Sequence, residues 1–208
     1  MKLQSASFNL LLGQMGQRFA WRKSYACPCS SRTSGQADAK CPHCSGKGRL
    51  WGDAVIGHAG IVSREKLRLF ESMGIIDRDD IMLSIPSDSP IYAAGQYDRL
   101  TALNRSEPFS VSLVAGLNDV LRCSVLSVDR SFHLHNASIV DLDVPVVKSD
   151  GTLDWNGHPP PAGVTFSLTG RRAPEFFCYA DLPVDRPMHY GEKLPRRVTL
   201  RKFDLFGR

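Results

Sequence analysis

The length and composition of the chain are those of a globular protein. Its 208 residues, 42% hydrophobic and 23% charged, suffice for one ordinary domain with a small appendage or for two small domains. No apolar run reaches the roughly 20 residues of a membrane-spanning helix, so we expect neither a membrane protein nor a membrane partner. The N-terminal MKLQSASFNLLLGQMGQ lacks the apolar region and cleavage site of a secretory signal. We therefore expect folding in a cytoplasm, where thiols stay reduced.

The net charge of +5 is unevenly distributed along the chain. Residues 1–51 and 191–208 carry an excess of Lys and Arg, whereas residues 52–190 carry an excess of Asp and Glu. A basic end is suited to a phosphate backbone or to an acidic protein surface. A merely solvated basic face fits the charge pattern equally well.

Two closely spaced cysteine pairs near the N-terminus are the most specific motif of the sequence. Cys27 and Cys29 flank a proline, Cys41 and Cys44 flank Pro-His, and a polar loop separates the pairs. Structural zinc takes four ligands in a tetrahedron and prefers thiolates. A segment this small cannot build a hydrophobic core, so the metal would supply its folding free energy. The sequence predicts one structural zinc per chain, bound by all four cysteines in a knuckle over residues 27–48.

Other interpretations of the four cysteines stay open. A disulfide framework would suit an oxidising compartment, and a redox-active C-x-x-C pair would need a βαβ context that the sequence does not show. A catalytic zinc needs an open coordination position and a neighbouring acid. Four thiolates and a single acid in the loop, Asp38, favour a structural site. His43 is interpreted as a surface residue because the four thiolates already suffice.

Basic and aromatic residues flank the predicted knuckle. Trp21, Tyr25 and Trp51 are interspersed with Lys and Arg in this part of the chain. Such a surface suits a protein interface, in which Trp, Tyr and Arg are favoured, and it also suits a nucleic acid. We favour the interface, with Trp21 and Trp51 as candidate contacts. Packing of the rings onto a neighbouring part of the chain is the remaining alternative.

One short helix is predicted over residues 63–74. Ser63 can cap its first turn, and Leu67, Phe70 and Met73 recur at helical spacing. The apolar stripe that these side chains form is typical of core packing.

After residue 79 the hydrophobic period changes to two, which is typical of β-strands. The predicted strands, separated by turn signals, are 79–86, 98–104, 108–116, 119–129, 131–136, 137–147, 163–170, 174–182 and 196–206. Many short strands with few helices predict a mainly β protein, an antiparallel β-barrel or sandwich with one short helix and a small N-terminal zinc-binding knuckle. We place the domain boundary after residue 51, between a basic segment (1–51) and a β body (52–208).

The β body shows no motif of a known enzyme class. It has no Gly-rich phosphate loop and no nucleophile elbow, and its acids have no diagnostic spacing. His133 and His135 alternate on a predicted strand, but no second pair of ligands completes a metal site. We therefore expect no enzymatic activity.

Three stretches resemble structural proteins of tailed bacteriophages. They are MGQRFAWRKSYACPCSSRTSGQADAKCPHCSGKGRLW, IMLSIPSDSPIYAAGQYDRLTAL and RRAPEFFCYADLPVDRPMHYGEKLPRRVTLRKFDLFGR, together a little under half of the chain. The resemblance implies a subunit of the neck, the head–tail connector, whose proteins form rings between portal and tail and are mostly small β-barrels. It implies a homo-oligomeric ring in the virion, assembled in the bacterial host cytoplasm. The implied partners are the portal, other neck or tail proteins and, as a further candidate, packaged double-stranded DNA.

A closed ring requires heterologous contacts that repeat around an axis, and a basic end can lie against the acidic body of a neighbour. In the terminal KFDLF we expect Phe203, Leu205 and Phe206 to be apolar anchors, with Arg196 and Arg197 as charged contacts. The alternative function is a zinc-ribbon nucleic-acid-binding protein with an OB-like β domain. A third is a chaperone-like client binder, suggested by a single C-x-x-C-x-G-x-G copy.

Overall fold

The chain folds into two compact units, one formed by residues 1–104 and 175–208 and the other by residues 105–174. The computed structural model describes residues 5–31, 33–63, 68, 71–74, 76–77, 79–136, 138–181, 188–189 and 191–206. The strand pairings found in these ranges are antiparallel. The predicted mainly β, antiparallel fold is thus confirmed.

The elements follow in chain order, together with two 3-10 turns at Pro90–Ala93 and Phe203–Leu205. They are α1 (Ser5–Met15), β1 (Gln17–Ala26), β2 (Arg49–Ile61), β3 (Ile81–Ile85), β4 (Arg99–Ala102), β5 (Glu107–Val114), β6 (Val125–His135), β7 (Ser138–Leu142), β8 (Val146–Val147), β9 (Leu153–Asp154), β10 (Thr165–Arg172), β11 (Glu175–Asp181), β12 (Met188–His189), β13 (Glu192–Lys193) and β14 (Arg196–Lys202). No helix within the described ranges is long and apolar enough to cross a membrane.

Six strands of the first unit form a closed barrel. They pair in the order β1-β2-β3-β14-β11-β4, and β4 pairs back with β1. Because side chains alternate across a strand, every second residue points inward and the interior fills with apolar groups. Phe19, Leu83, Leu100, Phe176 and Leu200 belong to this core, and each is buried.

The second unit is an open sheet with the order β5-β10-β6-β7, accompanied by the short pair β8–β9. Its core includes Leu113, Phe166 and Leu168, which lie on one face of the sheet. Leu113 of β5 is paired with Phe166 of β10, and Leu168 lies two residues further along β10. Trp155 packs edge-on against Phe166, with ring centroids 5.2 Å apart. Each unit therefore has a hydrophobic core of its own.

The unit boundaries differ from the predicted one. Residue 51 lies inside β2, so residues 1–51 belong to the same unit as the barrel. The reason is that β1 and β2 supply two of the six barrel strands, while residues 105–174 are inserted between β4 and β11. The predicted boundary followed the change in cysteine pattern and charge at residue 51, and neither property indicates which strands pair.

Several elements also differ from the predicted ones. Helix α1 and strand β2 were not predicted, and the two predicted strands 119–129 and 131–136 are one strand, β6, that begins at Val125. Glycines lower the strand propensity of β2. At one of them, Gly57, an added Cβ would lie 2.6 Å from Cγ1 of Ile91, so the Pro90–Ala93 turn can approach β2 only because no side chain is present. The predicted helix at 63–74 falls largely outside the described residues.

A buried carboxylate joins the end of β1 to the segment before β4. Asp98 is 0% exposed, and its two oxygens accept hydrogen bonds from the indole N–H of Trp21 (2.9 Å) and the backbone N–H groups of Ser24 and Gly95 (2.8 Å each). The ammonium of Lys23 lies 3.2 Å from the same group. The β1–β2 register shifts between Arg22 and Ser24, so the carboxylate bonds a backbone N–H at an irregularity of the ladder.

We expect Asp98→Ala to destabilise the barrel by about 3–5 kcal/mol, because it leaves several buried donors and a charged partner without an acceptor. Asp98→Asn should cost less, since one acceptor oxygen remains. Urea unfolding followed by tryptophan fluorescence measures both. Asp129→Ala, which removes an exposed carboxylate of the other unit, is the matched control. Equal stabilities of Asp98→Ala and the control would contradict this role.

Candidate metal centre

The four predicted ligands lie in the connection between β1 and β2. Cys27 follows the last residue of β1 directly, and its backbone N–H donates to the carbonyl of Gly48, the residue before β2 (2.9 Å). This bond continues the ladder of the β1–β2 hairpin by one step. The strands therefore hold both ends of the knuckle at one point.

The four thiols converge as predicted. Their Sγ atoms lie within 4.8 Å of one another, with 3.9 Å between Cys27 and Cys41 and 3.5 Å between Cys29 and Cys44. Two sulfurs on a tetrahedral metal with bonds of about 2.3 Å are separated by about 3.8 Å, whereas a disulfide needs about 2.05 Å. Three of the cysteines are buried and Cys29 is half-buried. The four cysteines can thus hold one metal ion, and their spacing does not fit the disulfide alternative.

Tight turns bring the second cysteine pair into place. The backbone N–H of Gly48 donates to Sγ of Cys44 (3.3 Å), and that of Ser45 donates to the carbonyl of Cys41 (2.9 Å). Gly48 has φ +68°, and an added Cβ would lie 3.1 Å from Cβ of Ala37. A side chain there would be both strained and crowded, so the glycine is needed for the turn. His43 is exposed, as predicted.

Backbone donors and burial act on the thiols in opposite directions. The N–H groups of Cys44 and His43 point to Sγ of Cys41 and lower its pKa to about 7. Burial, followed by hydrogen bonding with Cys27, raises the pKa of Cys29 to about 12. Without a cation, the cluster therefore combines one thiol that ionises readily, Cys41, with one that resists ionisation, Cys29. A bound metal would compensate the charge and displace the remaining protons, so acid pH opposes its binding.

The aromatic candidates of the C-terminus pack inside the chain. Phe203 and Phe206 are each 8% exposed, and both contact the ring of Trp51 edge-on, at centroid distances of 5.1 and 5.5 Å. Phe177 of β11 completes this aromatic cluster, with its ring 4.9 Å from that of Phe206. The 3-10 turn after β14 folds the rings back onto the barrel, so Phe203 and Phe206 are occupied within the chain, and the packing alternative holds for Trp51 among the residues that flank the knuckle.

The other predicted contacts divide into two groups. Trp21 is half-buried with its indole bonded to Asp98, and Arg196 is half-buried with its guanidinium donating to the carbonyls of Tyr92 (3.0 Å) and Ala94 (2.7 Å). Arg197 and Leu205 are exposed. These two remain candidates for contact with another molecule.

His133 and His135 do not form a metal site with other described residues. The four cysteines are the group of possible ligands that the described part of the chain brings together. His133 is half-buried and His135 is exposed. The role of the buried Asp98 and the contacts within the aromatic cluster were not predicted from the sequence. These contacts join residues that are distant in the chain, and such contacts leave no local signal in a single sequence.

Comparison of the chain with protein-family models and with curated proteins gives no match.

We expect Phe206→Ala to destabilise the first unit by about 3 kcal/mol, because it opens a cavity among Trp51, Phe177 and Phe203. Leu205→Ala, on the same turn but 44% exposed, should cost less than about 1 kcal/mol. Denaturant unfolding monitored by near-ultraviolet circular dichroism distinguishes the two variants. Equal effects would mean that the aromatic cluster does not secure the C-terminus.

Proposed function

We propose that the chain is a non-catalytic structural subunit of a tailed-bacteriophage neck, stabilised by one zinc ion and assembled into a ring between portal and tail. Its partners would be further copies of itself, the portal and other neck or tail proteins, with assembly in the host cytoplasm. The motif resemblance supports this assignment. The structural observation that carries it is the pair of apolar side chains exposed on the β6–β7 hairpin.

Zinc is the metal that best suits the four thiols. Borderline-soft Zn²⁺ favours thiolate ligands, and structural sites are closed by four protein ligands. The burial of three of the four cysteines and the absence of an acidic ligand in the cluster support a structural role. The metal would organise the turn-rich segment from 27 to 48, and no catalytic step is assigned to it.

The β6–β7 hairpin presents apolar groups on a sheet with open edges. Leu134 and Ile139 are direct cross-strand partners and are 64% and 56% exposed. Val140, opposite His133 and on the other face of the hairpin, is 39% exposed. In the described part of the unit, β7 and β5 each pair on one side only. Adjacent exposed aliphatic residues and open strand edges are typical of surfaces that bind another protein. A repeated heterologous contact through this hairpin is compatible with ring closure.

For the metal, we expect about one equivalent of zinc per chain after purification without chelators. Cys41→Ser should lower the zinc content and make residues 27–48 susceptible to protease, because the knuckle depends on the metal while the barrel keeps its own core. Metal analysis by mass spectrometry and limited proteolysis provide the measurements.

The control for this experiment is Cys123→Ser, which changes a cysteine of the other unit and should leave zinc content and proteolysis unaltered. Iron as the bound metal, or zinc retained at one equivalent by Cys41→Ser, would contradict the proposed zinc site.

For the ring, we expect particles far heavier than the 23.0 kDa chain in light scattering, seen as closed rings by negative-stain electron microscopy. The double variant Leu134→Ser/Ile139→Ser should dissociate them, because it removes the central apolar contact. Leu117→Ser, at an 82% exposed position of the same unit, is the control. A wild-type protein that stays monomeric at high concentration would refute the ring.

A further inference from the structure

A cavity of about 840 Å³ opens beside the metal centre, within the first unit. Its volume lies in the range of about 300–1,000 Å³ that is typical of small-ligand sites. The knuckle supplies Lys47 and the start of β2 supplies Arg49, while Tyr97, Tyr179 and Arg201 line other parts of the wall.

The cavity carries positive charge. Lys47, Arg49 and Arg201 are among its lining residues, and none of the described residues that line it is acidic. Arg201 is held from behind by Asp80, which accepts two hydrogen bonds from the guanidinium (3.0 and 2.9 Å). A second carboxylate, that of Asp77, lies 2.5 Å from the same guanidinium, so the two acids fix Arg201 in place and compensate its charge. The cavity is thus suited to an anionic ligand, with Lys47 and Arg49 as the principal cations.

Flat cationic stacks form part of the cavity wall. The guanidinium carbon of Arg49 lies 4.3 Å from the ring centroid of Tyr97, and that of Arg201 lies 3.8 Å from the ring centroid of Tyr179. Nucleobases stack on aromatic rings and equally on guanidinium planes. The two stacks therefore suit a ligand that has a planar ring next to its negative charge.

The backbone at the cavity wall is strained. Tyr97 has φ +70°, a conformation that a tyrosine rarely adopts. Its N–H donates to the carbonyl of Cys178 (2.8 Å), and its own carbonyl accepts the indole N–H of Trp51 (3.0 Å). Such strain persists only where surrounding contacts enforce it, and it concentrates at binding sites. These backbone bonds hold Tyr97 at the cavity wall, where its ring lies edge-on to that of Phe206 with 5.9 Å between the centroids.

We propose that this cavity binds a nucleotide unit, with its base against the Arg49–Tyr97 and Arg201–Tyr179 stacks and its phosphate on Lys47 and Arg49. The same chemistry is offered by a free nucleotide and by a single strand of nucleic acid. A duplex keeps its bases stacked on one another and does not present them to such a wall. An acidic peptide would use the cations and leave the stacking planes without a partner. The inference is independent of the proposed ring.

The test is fluorescence anisotropy of the full-length, zinc-loaded chain with a labelled single-stranded eight-nucleotide DNA. We expect Arg49→Gln and Tyr179→Ala each to weaken binding about fivefold or more, through loss of a phosphate contact and of a stacking plane respectively. Arg105→Gln removes an exposed guanidinium of the other unit and should change affinity less than about twofold. One neutralised phosphate predicts a salt slope of about −0.7, which Arg49→Gln should reduce.

Competition identifies the source of the nucleotide. Displacement of the labelled strand by AMP assigns the cavity to a free nucleotide, and failure of AMP to displace it assigns the cavity to a single strand. Zinc content and thermal unfolding of each variant verify its fold. If Arg49→Gln loses metal, the test of the cavity depends on Tyr179→Ala, which leaves the knuckle unchanged. The proposal is overturned if Arg49→Gln and Arg105→Gln weaken binding equally. Tighter binding of a duplex, equal competition by polyglutamate or unaltered affinity of Tyr179→Ala would also overturn it.

Discussion

The last pair of the β1–β2 ladder, Ala26 opposite Arg49, is the constraint on which the metal centre depends. Because paired residues lie about 5 Å apart, the intervening chain must leave and return at nearly the same point. Residues 27–48 do so without a helix or strand in their described part. Irregular loops of this length are uncommon unless they have a function or are ordered by other means. Four converging thiols provide such a means.

A few residues before the knuckle, the same hairpin depends on a different kind of contact. In a regular ladder, β2 would provide hydrogen-bond partners for the backbone groups of β1. The register shift after Arg22 interrupts this ladder. Asp98 supplies the missing acceptor and binds Trp21 and Gly95 as well. One buried carboxylate thus fixes the direction in which β1 approaches the knuckle. Further along, Trp51 at the start of β2 packs on the C-terminal turn, so aromatic contacts hold the returning strand.

How much of this could be predicted depends on how local the signal is. The four candidate metal ligands were predictable because two closely spaced cysteine pairs within a short segment favour convergence of the sulfurs. The mainly β class was predictable from the period of two after residue 79. Closure of the barrel could not be predicted. It depends on the pairing of Phe19 with Ala102, and the alternation of apolar and polar residues along a strand does not indicate which other strand it pairs with. The contact between Arg49 and Tyr97 likewise arises only because the barrel brings distant segments together. The insertion between β4 and β11 could not be predicted, because no change in composition marks its boundaries.

That insertion has a consequence for how the barrel forms. The pairing of β4 with β11, Thr101 opposite Glu175, would require closure of a long loop if the intervening chain were unfolded. Within the second unit, however, Glu107 is paired with Arg172 and bound to it by an ion pair of 2.9 Å. Once that unit has folded, its two ends lie side by side, and only a few residues separate them from the barrel strands. Loop-closure entropy grows with the logarithm of length, so a tenfold shorter effective loop lowers the cost by about 2 kcal/mol. Folding of the inserted sheet before the barrel would thereby convert a contact of high sequence separation into a local one.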